Sequence, residues 1–462
     1  MNTKLRSLLV SSALIPALAA CSLTPAYTRP DITVPAQWDR AAEAYGGEAV
    51  AAGWWKRFGN AELDELIAQS LAANHDLAAA VSRIEQARAS SKIARSALAP
   101  IVGASASASR DRRETKSTRV SENTSTQALL SVNYELDLWG GNAANANAAD
   151  ARLTATVYDR DAIELVLQAD VAANYFQILA LKDRLAIARK NLGAAQQLLA
   201  LVQVRADNGA ATALDVAQQR TTLLNIQAEI PSLEQSLGQT QTALAVLLGR
   251  APQGFAVRGQ SLAEVKLPAV DAGQPAALLE RRPDIRTAEA RLMAANADIG
   301  AARAALYPSI SLSAAAGIEG VLTGGTSTIA SIAASLAQTI FDAGRSKGQV
   351  EVAQAVRKEL VEGYAQSVLI GLKEVEDSLI AESSTRRRSV TLTETVSQAR
   401  EAYRLASIRY EAGMQDLLTV LDAQRSQLSA EDNRVQAELG RYTATINLFK
   451  ALGGGWSSSA PV

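Results

Sequence analysis

Two very long stretches with a helical pattern and no proline constrain this chain more than any other feature. They run over residues 142–207 and 345–411 of the 462-residue sequence. At about 1.5 Å per residue, each would form a helix roughly 100 Å long, which is longer than a compact domain. Both stretches break at a glycine, in "DNG" (Gly209) and in "EAG" (Gly413), where a left-handed residue can close a helix and the chain can return. The sequence therefore predicts two long antiparallel helical hairpins.

The two hairpins belong to an internal duplication. The segment "VRADNGAATALDVAQQR" aligns with "IRYEAGMQDLLTVLDAQR", which pairs Arg205 with Arg409 and Gly209 with Gly413. Upstream, "HDLAAAVSRIEQARASSKIARSALAPIV" aligns with "PDIRTAEARLMAANADIGAARAALYPSI". Each half is therefore predicted to contain a helix, two strands, a very long helix, a tight turn and a returning helix.

Alternating apolar and polar residues predict the two strands of each half. The clearest apolar set is Leu130, Val132, Tyr134, Leu136 and Leu138, and the polar residues between them are Ser131, Asn133, Glu135 and Asp137. Further alternations run from Ser309 to Ile318, and weaker ones from Pro100 to Arg110 and from Ile329 to Phe341. We expect the polar segments "DRRETKSTRVSENTST" and "EGVLTGGTSTI" to be the loops between paired strands. A half-buried sheet of a soluble protein shows the same alternation, which leaves that alternative open.

The context of the strands favours a membrane barrel over a soluble sheet. Each strand pair is followed by a helix far longer than a compact domain. Four strands cannot close a barrel, and open sheet edges are not tolerated in lipid, because every backbone polar group there needs a protein partner. We therefore expect several chains to contribute strands to one barrel, with the helices projecting from it.

The N-terminus is typical of a secreted lipoprotein. Lys4 and Arg6 precede an apolar run over residues 8–20, which is too short to span a bilayer but suits a secretory signal. The run ends in "LALAAC", which resembles a bacterial lipobox and predicts cleavage before Cys21 and acylation of that residue. Ser22, rather than Asp, then favours delivery to the outer membrane. The alternative is an ordinary signal peptide followed by a chance cysteine.

Composition excludes several classes of function. The net charge is -1 and no long basic block occurs, so nucleic-acid binding has no support. His75 is the only histidine and Cys21 the only cysteine, which rules out intrachain disulfides, Cys/His zinc sites and Ser-His-Asp catalysis. The segment "GGTSTI" lacks the lysine of a phosphate-binding loop. We therefore predict a protein that is not an enzyme and has no metal or cofactor, apart from covalent lipid on Cys21.

Several motifs occur in a characteristic order along almost the whole chain. They are "CSLTPAYTRPDITVPAQW", "GWWKRFGNAELDELIAQSLAANHDLAAAVSRIEQARA", "YELDLWG", "LLERRPDIRTAEARLMAANADIGAARAALYPSISLSA" and "LLTVLDAQRSQLSAE". In these motifs the chain resembles the outer-membrane efflux protein family, the TolC-like channels, and specifically the lipoprotein channels of resistance-nodulation-division (RND) pumps.

The resemblance implies a mainly helical fold with a transmembrane β part. Three identical chains would form a twelve-stranded outer-membrane barrel, four strands from each, continued by a long helical tunnel in the periplasm. The channel would passively conduct drugs or other small molecules from a periplasmic adaptor and an inner-membrane RND pump to the exterior. The implied divisions are a signal peptide (1–20), a lipid-anchored segment that wraps the tunnel (21–60), two repeats (61–272 and 273–453) and a C-terminal tail (454–462).

The resemblance also implies functional residues at the hairpin tips. Those implied to dock the adaptor are Arg205, Gly209, Arg409 and Gly413. Those implied to form a periplasmic gate are Leu418, Asp422 and Arg425, with Asp416 and Asp215 adding charge. The alternatives are glycines that only form turns, solvated arginines at helix ends, and a core leucine beside a solvated i,i+3 ion pair.

Two other functions remain compatible with parts of the sequence. A lipid-anchored structural coiled coil would explain the helices and Cys21, but not the alternating strands. An outer-membrane duct for exported proteins, as in type I secretion, would share the whole architecture. The transported substrates cannot be derived from the sequence, because a tunnel has no dedicated pocket.

Overall fold

The computed structural model describes residues 22–39, 48–115, 118–321 and 325–457. The helices in chain order are α1 (Ala61–Ala73), α2 (His75–Ser96), α3 (Gly141–Asp207), α4 (Ala213–Leu247), α5 (Leu278–Arg281), α6 (Pro283–Ala304), α7 (Arg345–Glu411) and α8 (Leu417–Ala451). The strands are β1 (Glu48–Ala49), β2 (Ile101–Thr115), β3 (Thr118–Leu136), β4 (Val270–Asp271), β5 (Ser309–Val321) and β6 (Gly325–Ala337). The chain is thus mainly helical with a sheet, which confirms this part of the predicted fold.

The two halves of the chain have the same element order and the same helix lengths. α3 and α7 contain 67 residues each, and the returning helices α4 and α8 contain 35 each. α2 and α6, which precede the strand pairs, contain 22 residues each. Within the described residues, no helix combines the length and the apolar character needed to cross a membrane.

The four long strands form one antiparallel sheet in the order β2-β3-β5-β6. The prediction was wrong at several strand ends. Leu138 lies beyond β3, and β6 ends at Ala337, so Phe341 is not in a strand. After β6 the carboxylate of Asp342 accepts hydrogen bonds from the amides of Gly344 and Ser346, at 3.0 and 2.9 Å, and so caps the start of α7.

The polar segments expected to be loops are largely strand. β2 and β3 remain paired as far as Thr115 and Thr118, and β5 and β6 as far as Val321 and Gly325. The ladder continues because backbone hydrogen bonds do not depend on side-chain polarity, and facing polar side chains pair with one another. Arg110 of β2 lies 2.6 Å from the carboxylate of Glu122 of β3.

The helices follow the same lateral order as the strands. α2 packs on α3, α3 on α6 and α6 on α7, while α4 and α8 pack back against α3 and α7. Each helix in this row is continuous in the chain with the strand at the same position. The pair α2 and β2 therefore lies at one flank of the chain, and the pair β6 and α7 lies at the opposite flank.

An aromatic cluster joins the N-terminal part of the chain to both hairpins. Trp54 stacks on Phe449 with ring centroids 5.0 Å apart, and Phe58 contacts Phe176 at 4.9 Å. Phe176 of α3 also contacts Tyr442 of α8 at 4.6 Å. All five side chains are buried, which makes this the main hydrophobic core of the described chain.

A glycine closes the returning helix of each half at a tight backbone contact. A methyl group added at Gly249 would lie 2.1 Å from the carbonyl oxygen of Ala73, and one added at Gly453 would lie 2.0 Å from that of Arg281. Both glycines have positive φ, at 65° and 85°. Only glycine therefore satisfies both the conformation and the space.

We expect Gly453→Ala to destabilise the protein by about 3 kcal/mol, because the added methyl group overlaps backbone as well as straining φ. Gly254→Ala is the matched control, since Gly254 has a φ of 75° but no atom within 4 Å of an added methyl group. The control should cost only about 1 kcal/mol. Thermal unfolding of detergent-solubilised protein, followed by circular dichroism, measures both, and equal losses would contradict the close contact.

Candidate functional site

The tips of the two helical hairpins are built alike. Gly209 and Gly413 both have φ 75°, the left-handed conformation that the sequence predicts at these turns. The amide of Gly209 donates to the carbonyl of Ala206 at 3.0 Å, and that of Gly413 donates to the carbonyl of Tyr410 at 2.9 Å. The following residue of each turn donates to the carbonyl of Arg205 or Arg409, at 2.7 and 2.9 Å, which completes a Schellman motif at both tips.

The two acidic residues next to the tips cap the returning helices. Asp215 and Thr212 form a capping box at the start of α4. Asp416 accepts hydrogen bonds from the amide and the hydroxyl of Thr419, at 2.9 and 2.7 Å. These hydrogen bonds lower the pKa of Asp416, with that from the Thr419 hydroxyl contributing most. Both residues proposed from the resemblance to add charge at the gate therefore also have a structural role.

Arg205 and Arg409 occupy equivalent positions in the duplication but different surroundings. The guanidinium of Arg205 lies 4.6 Å above the ring of Tyr410 and donates a hydrogen bond to the Tyr410 carbonyl. It therefore adds a second donor to a carbonyl at the tip of the other hairpin, which also accepts from the Gly413 amide. Arg409 is exposed. The expected solvated charge thus applies to Arg409, whereas Arg205 links the two tips.

Sequence reasoning missed Tyr410 as the residue that makes the tips unequal. Its counterpart in the first repeat is Ala206, since Arg205 aligns with Arg409. Tyr410 is buried in a cluster with Val202 of α3 and with Leu417 and Val420 of α8. Burial raises the pKa of Tyr410, and the charge of Arg205 opposes this. The signal available in the sequence was the replacement of a small residue, Ala206, by the aromatic Tyr410 directly after the paired arginines.

The remaining predicted gate residues share one exposed face of α8. Leu418 is 56% exposed, although its neighbours Leu417 and Leu421 are buried. Asp422 lies one turn further, and its carboxylate is 3.5 Å from the guanidinium of Arg425. Within one chain, Arg425 therefore pairs with its own helix. The alternative of a core leucine does not fit Leu418, because its side chain lies away from the core.

A buried carboxylate that the sequence did not single out joins three helices midway along the hairpins. Glu431 of α8 accepts hydrogen bonds from Arg400 of α7 at 2.7 Å and from Asn191 of α3 at 3.2 Å. Burial alone would raise the pKa of Glu431, but these bonds and one from Gln427 outweigh it, so the pKa is lowered. From the sequence alone, Glu431 cannot be distinguished from an exposed carboxylate on a helix surface.

The sheet lies at the other end of the long helices and has two different faces. The pairing register aligns Val132 with Ala314 and Ala314 with Ile332, so the apolar residues of successive strands lie side by side. The adjacent row contains Asn133, Ser313 and Ala333, and such rows form the more polar face. Ile332 on the apolar face is 91% exposed. The alternation predicted for single strands therefore extends across the sheet.

Cys21 and the signal peptide lie outside the described residues. Among the residues that the structure does describe, no group of three or more His, Cys, Asp or Glu side chains is arranged to hold a metal ion.

A duplicated chain with an amphipathic sheet at one end of rods about 100 Å long and paired hairpin tips at the other defines a class, the TolC-like channel proteins. A plain coiled coil does not account for the sheet. The chain belongs to the outer membrane efflux protein family, whose pattern matches residues 66–250 and 275–454.

Individual relatives support this assignment over nearly the whole length. The chain is 39% identical to the pyoverdine export outer membrane protein OpmQ of Pseudomonas putida, over 96% of each chain. Among solved structures it is similar to the outer-membrane channel OprN, with 31% identity, a TM-score of 0.87, and coverage of 94% of this chain and 100% of that one. It is also similar to the open state of the Neisseria gonorrhoeae MtrE outer membrane channel, with 30% identity, a TM-score of 0.85, and coverage of 94% and 98%.

The family assignment confirms several of the predictions from sequence. The chain is an efflux channel protein of the outer membrane and is not an enzyme. The nature of its cargo, its lipid anchor and the residues that act at the tips are matters of proposal.

Proposed function

We propose that the chain is the outer-membrane channel of a tripartite efflux pump. Three copies would form a lipid-anchored tube that passively conducts drugs or other small molecules from a periplasmic adaptor and an inner-membrane RND pump to the exterior. The observation that carries this proposal is the sheet, apolar on one face across all four strands, at one end of the long hairpins. The name of the pyoverdine-export relative supports small-molecule cargo.

The height of the apolar face suits a membrane. Apolar residues alternate through β3 from Ala128 to Leu136 and face similar residues of β5. Nine residues at about 3.3 Å each, in strands tilted by about 40°, give a height of roughly 23 Å. This is close to the ~25 Å apolar band of outer-membrane barrels.

The two flanks of the chain support assembly with further copies. Within the described residues, β2 and β6 each pair on one side only, and such open edges need partners in lipid. Apolar side chains are exposed beside both edges, with Ile93 and Ile101 at one flank and Ile340 and Phe341 at the other. Because the flanks differ, copies would meet head to tail and close a ring. Three copies of four strands supply the twelve strands implied by the family resemblance.

The described start of the chain supports a lipid anchor on Cys21. Ser22 lies beside Gly140, where the sheet meets α3, with its Cα 3.7 Å from a methyl group built on that glycine. Ser22 is therefore held at the helix end of the sheet, beside the proposed membrane zone, where acyl chains on the preceding cysteine can enter lipid. We retain in this proposal the division into a removed signal peptide, an anchored segment over 21–60, repeats over 61–272 and 273–453, and a tail over 454–462.

The hairpin tips are the proposed point of contact with the adaptor, through the turns at Gly209 and Gly413 and the adjacent Arg205 and Arg409. Just inside the tips, three copies of Leu418, Asp422 and Arg425 would converge on the axis as a gate. The support for this arrangement is the exposed face of α8 that these three residues share.

Planar-bilayer recording of the purified protein tests whether it conducts. A charged residue placed on the apolar face of the sheet tests whether that face contacts lipid. We expect Ile332→Lys to lower the yield of trimers in the outer membrane sharply, because a lysine facing lipid near the midplane costs about 2–4 kcal/mol. Ser331→Lys is the control on the opposite face, and we expect it to assemble and conduct. Equal yields of the two variants would contradict the assignment of the apolar face to lipid.

A further inference from the structure

Residues 22–39 form a segment, here called the strap, whose first part, as far as Arg29, lies along one face of α6. The Asn296 side chain donates to the carbonyl of Pro25 at 2.7 Å, and Arg303 donates to that of Leu23 at 3.3 Å. At its far end the indole of Trp38 donates to the carbonyl of Gly273 at 3.0 Å. The strap thus runs antiparallel to α6 and brings Ser22 to the junction between the sheet and the helices.

The first fixed point of the strap is an ionic contact between Arg29 and a buried carboxylate. Arg29 binds Glu289 of α6 through two parallel hydrogen bonds, at 2.7 and 2.9 Å. Glu289 also accepts a hydrogen bond from Arg286 at 2.7 Å, and its side chain is only 8% exposed. The hydroxyl of Tyr27 lies 3.4 Å from the same carboxylate. Because a buried carboxylate needs its partners, Glu289 selects one position of the strap.

The second fixed point is a close contact at Gly300. A methyl group added there would lie 2.0 Å from the Thr24 hydroxyl oxygen and 2.8 Å from the Thr24 Cα. The backbone of the strap therefore touches the helix at a position that only glycine permits.

The spacing of the two points matches on both sides. Glu289 and Gly300 are eleven residues apart, which places them on the same face of α6, roughly 16 Å from each other. Thr24 and Arg29 are five residues apart, and an extended chain covers roughly 16 Å in that step. The hydrogen bond from Asn296 to the Pro25 carbonyl lies between the two points, so the strap engages both in a single register.

We propose that the strap is a tether of fixed length, held in register by the Gly300 contact and the Arg29–Glu289 pair. It sets the position of residue 22 at the sheet–helix junction. If Cys21 carries the lipid anchor of the proposed function, on which this step rests, the strap also sets the point at which that lipid enters the membrane. The segments "TPAYTRP" and "AEARLMAANADIG" supply the two sides of this contact.

A disulfide across the junction measures the position of the strap. The Cβ of Ser22 is 4.0 Å from a methyl group built on Gly140, within the range for a disulfide. The parent for the test is the full chain with Ser22→Cys and Gly140→Cys, oxidised mildly in isolated membranes. Peptide mass spectrometry reports the disulfide and, in the same sample, whether Cys21 is acylated.

In this parent we expect Gly300→Ala and Glu289→Gln each to lower the disulfide yield by about tenfold, because each releases one fixed point. The matched controls are Gly193→Ala, where an added methyl group meets nothing within 4 Å, and Glu280→Gln, which removes an exposed carboxylate from the same Arg29. Both controls should retain the parental yield. Thr24→Gly should partly restore the disulfide in the Gly300→Ala variant, since it removes the side chain that the methyl group meets.

Parental yields in both Gly300→Ala and Glu289→Gln would overturn the proposal. If Gly300→Ala does not fold, Glu289→Gln decides, because glutamine keeps the shape of the side chain. An unacylated Cys21 with the expected disulfide pattern would refute the lipid anchor of the proposed function and leave the tether in place.

Discussion

We expect export to be lost and the trimer to be retained when the helical hairpins are shortened. The change removes seven residues, about two turns, from each of α3, α4, α7 and α8, on the sheet side of Leu418, Asp422 and Arg425, so that the tips and the helix faces are kept. The rods become about 10 Å shorter, and the tips no longer reach the adaptor. The sheet lies at the other end of helices roughly 100 Å long, so the strands should assemble as before.

Export is measured as substrate efflux in cells that lack the native channel, and assembly as heat-resistant trimers in the outer-membrane fraction. The control variant, Asn208→Ala, changes a tip residue without changing hairpin length and should export normally. Normal export by the shortened channel would exclude the tips as the docking point. Loss of trimers would show that assembly and docking are not separated along the rod.

The second large effect is expected from opening the gate with Leu418→Ala and Arg425→Ala together. Three copies of Leu418 would form an apolar constriction, which the alanine substitution widens. Arg425 lies 3.5 Å from Asp422 in the same chain, so its removal leaves three converging carboxylates unpaired. Like charges that converge without partners repel one another. We therefore expect a several-fold rise in single-channel conductance and increased sensitivity of the cells to vancomycin, with an unchanged trimer yield.

The duplication supplies a control for this experiment. Leu214 is the counterpart of Leu418 and is also exposed, and Arg220 is an exposed arginine on the same helix. Leu214→Ala with Arg220→Ala should leave conductance unchanged if the gate belongs to the second hairpin alone. Wild-type conductance in a normally assembled Leu418→Ala and Arg425→Ala channel would contradict the gate. Cation selectivity that survives Asp422→Asn would remove Asp422 from the constriction.

The periodic elements of this protein could be predicted from the sequence alone. The long helices end at Asp207 and Glu411, where the predicted helical patterns end, and the glycines two residues beyond have the expected left-handed conformation. The faces of the strands also follow from their alternation. These properties are local, because a repeat of 3.6 or 2 residues and a glycine at a helix end act within a few residues of the chain.

Strand ends and buried polar contacts were decided by tertiary structure. The strands of the first hairpin extend into a polar segment because each finds a neighbour to continue its ladder, which no local pattern indicates. Arg29 meets Glu289, and Arg205 meets Tyr410, across more than 200 residues of sequence. Whether such a side chain is a solvated charge or a buried partner depends on which helices pack together, and only the folded chain determines that packing.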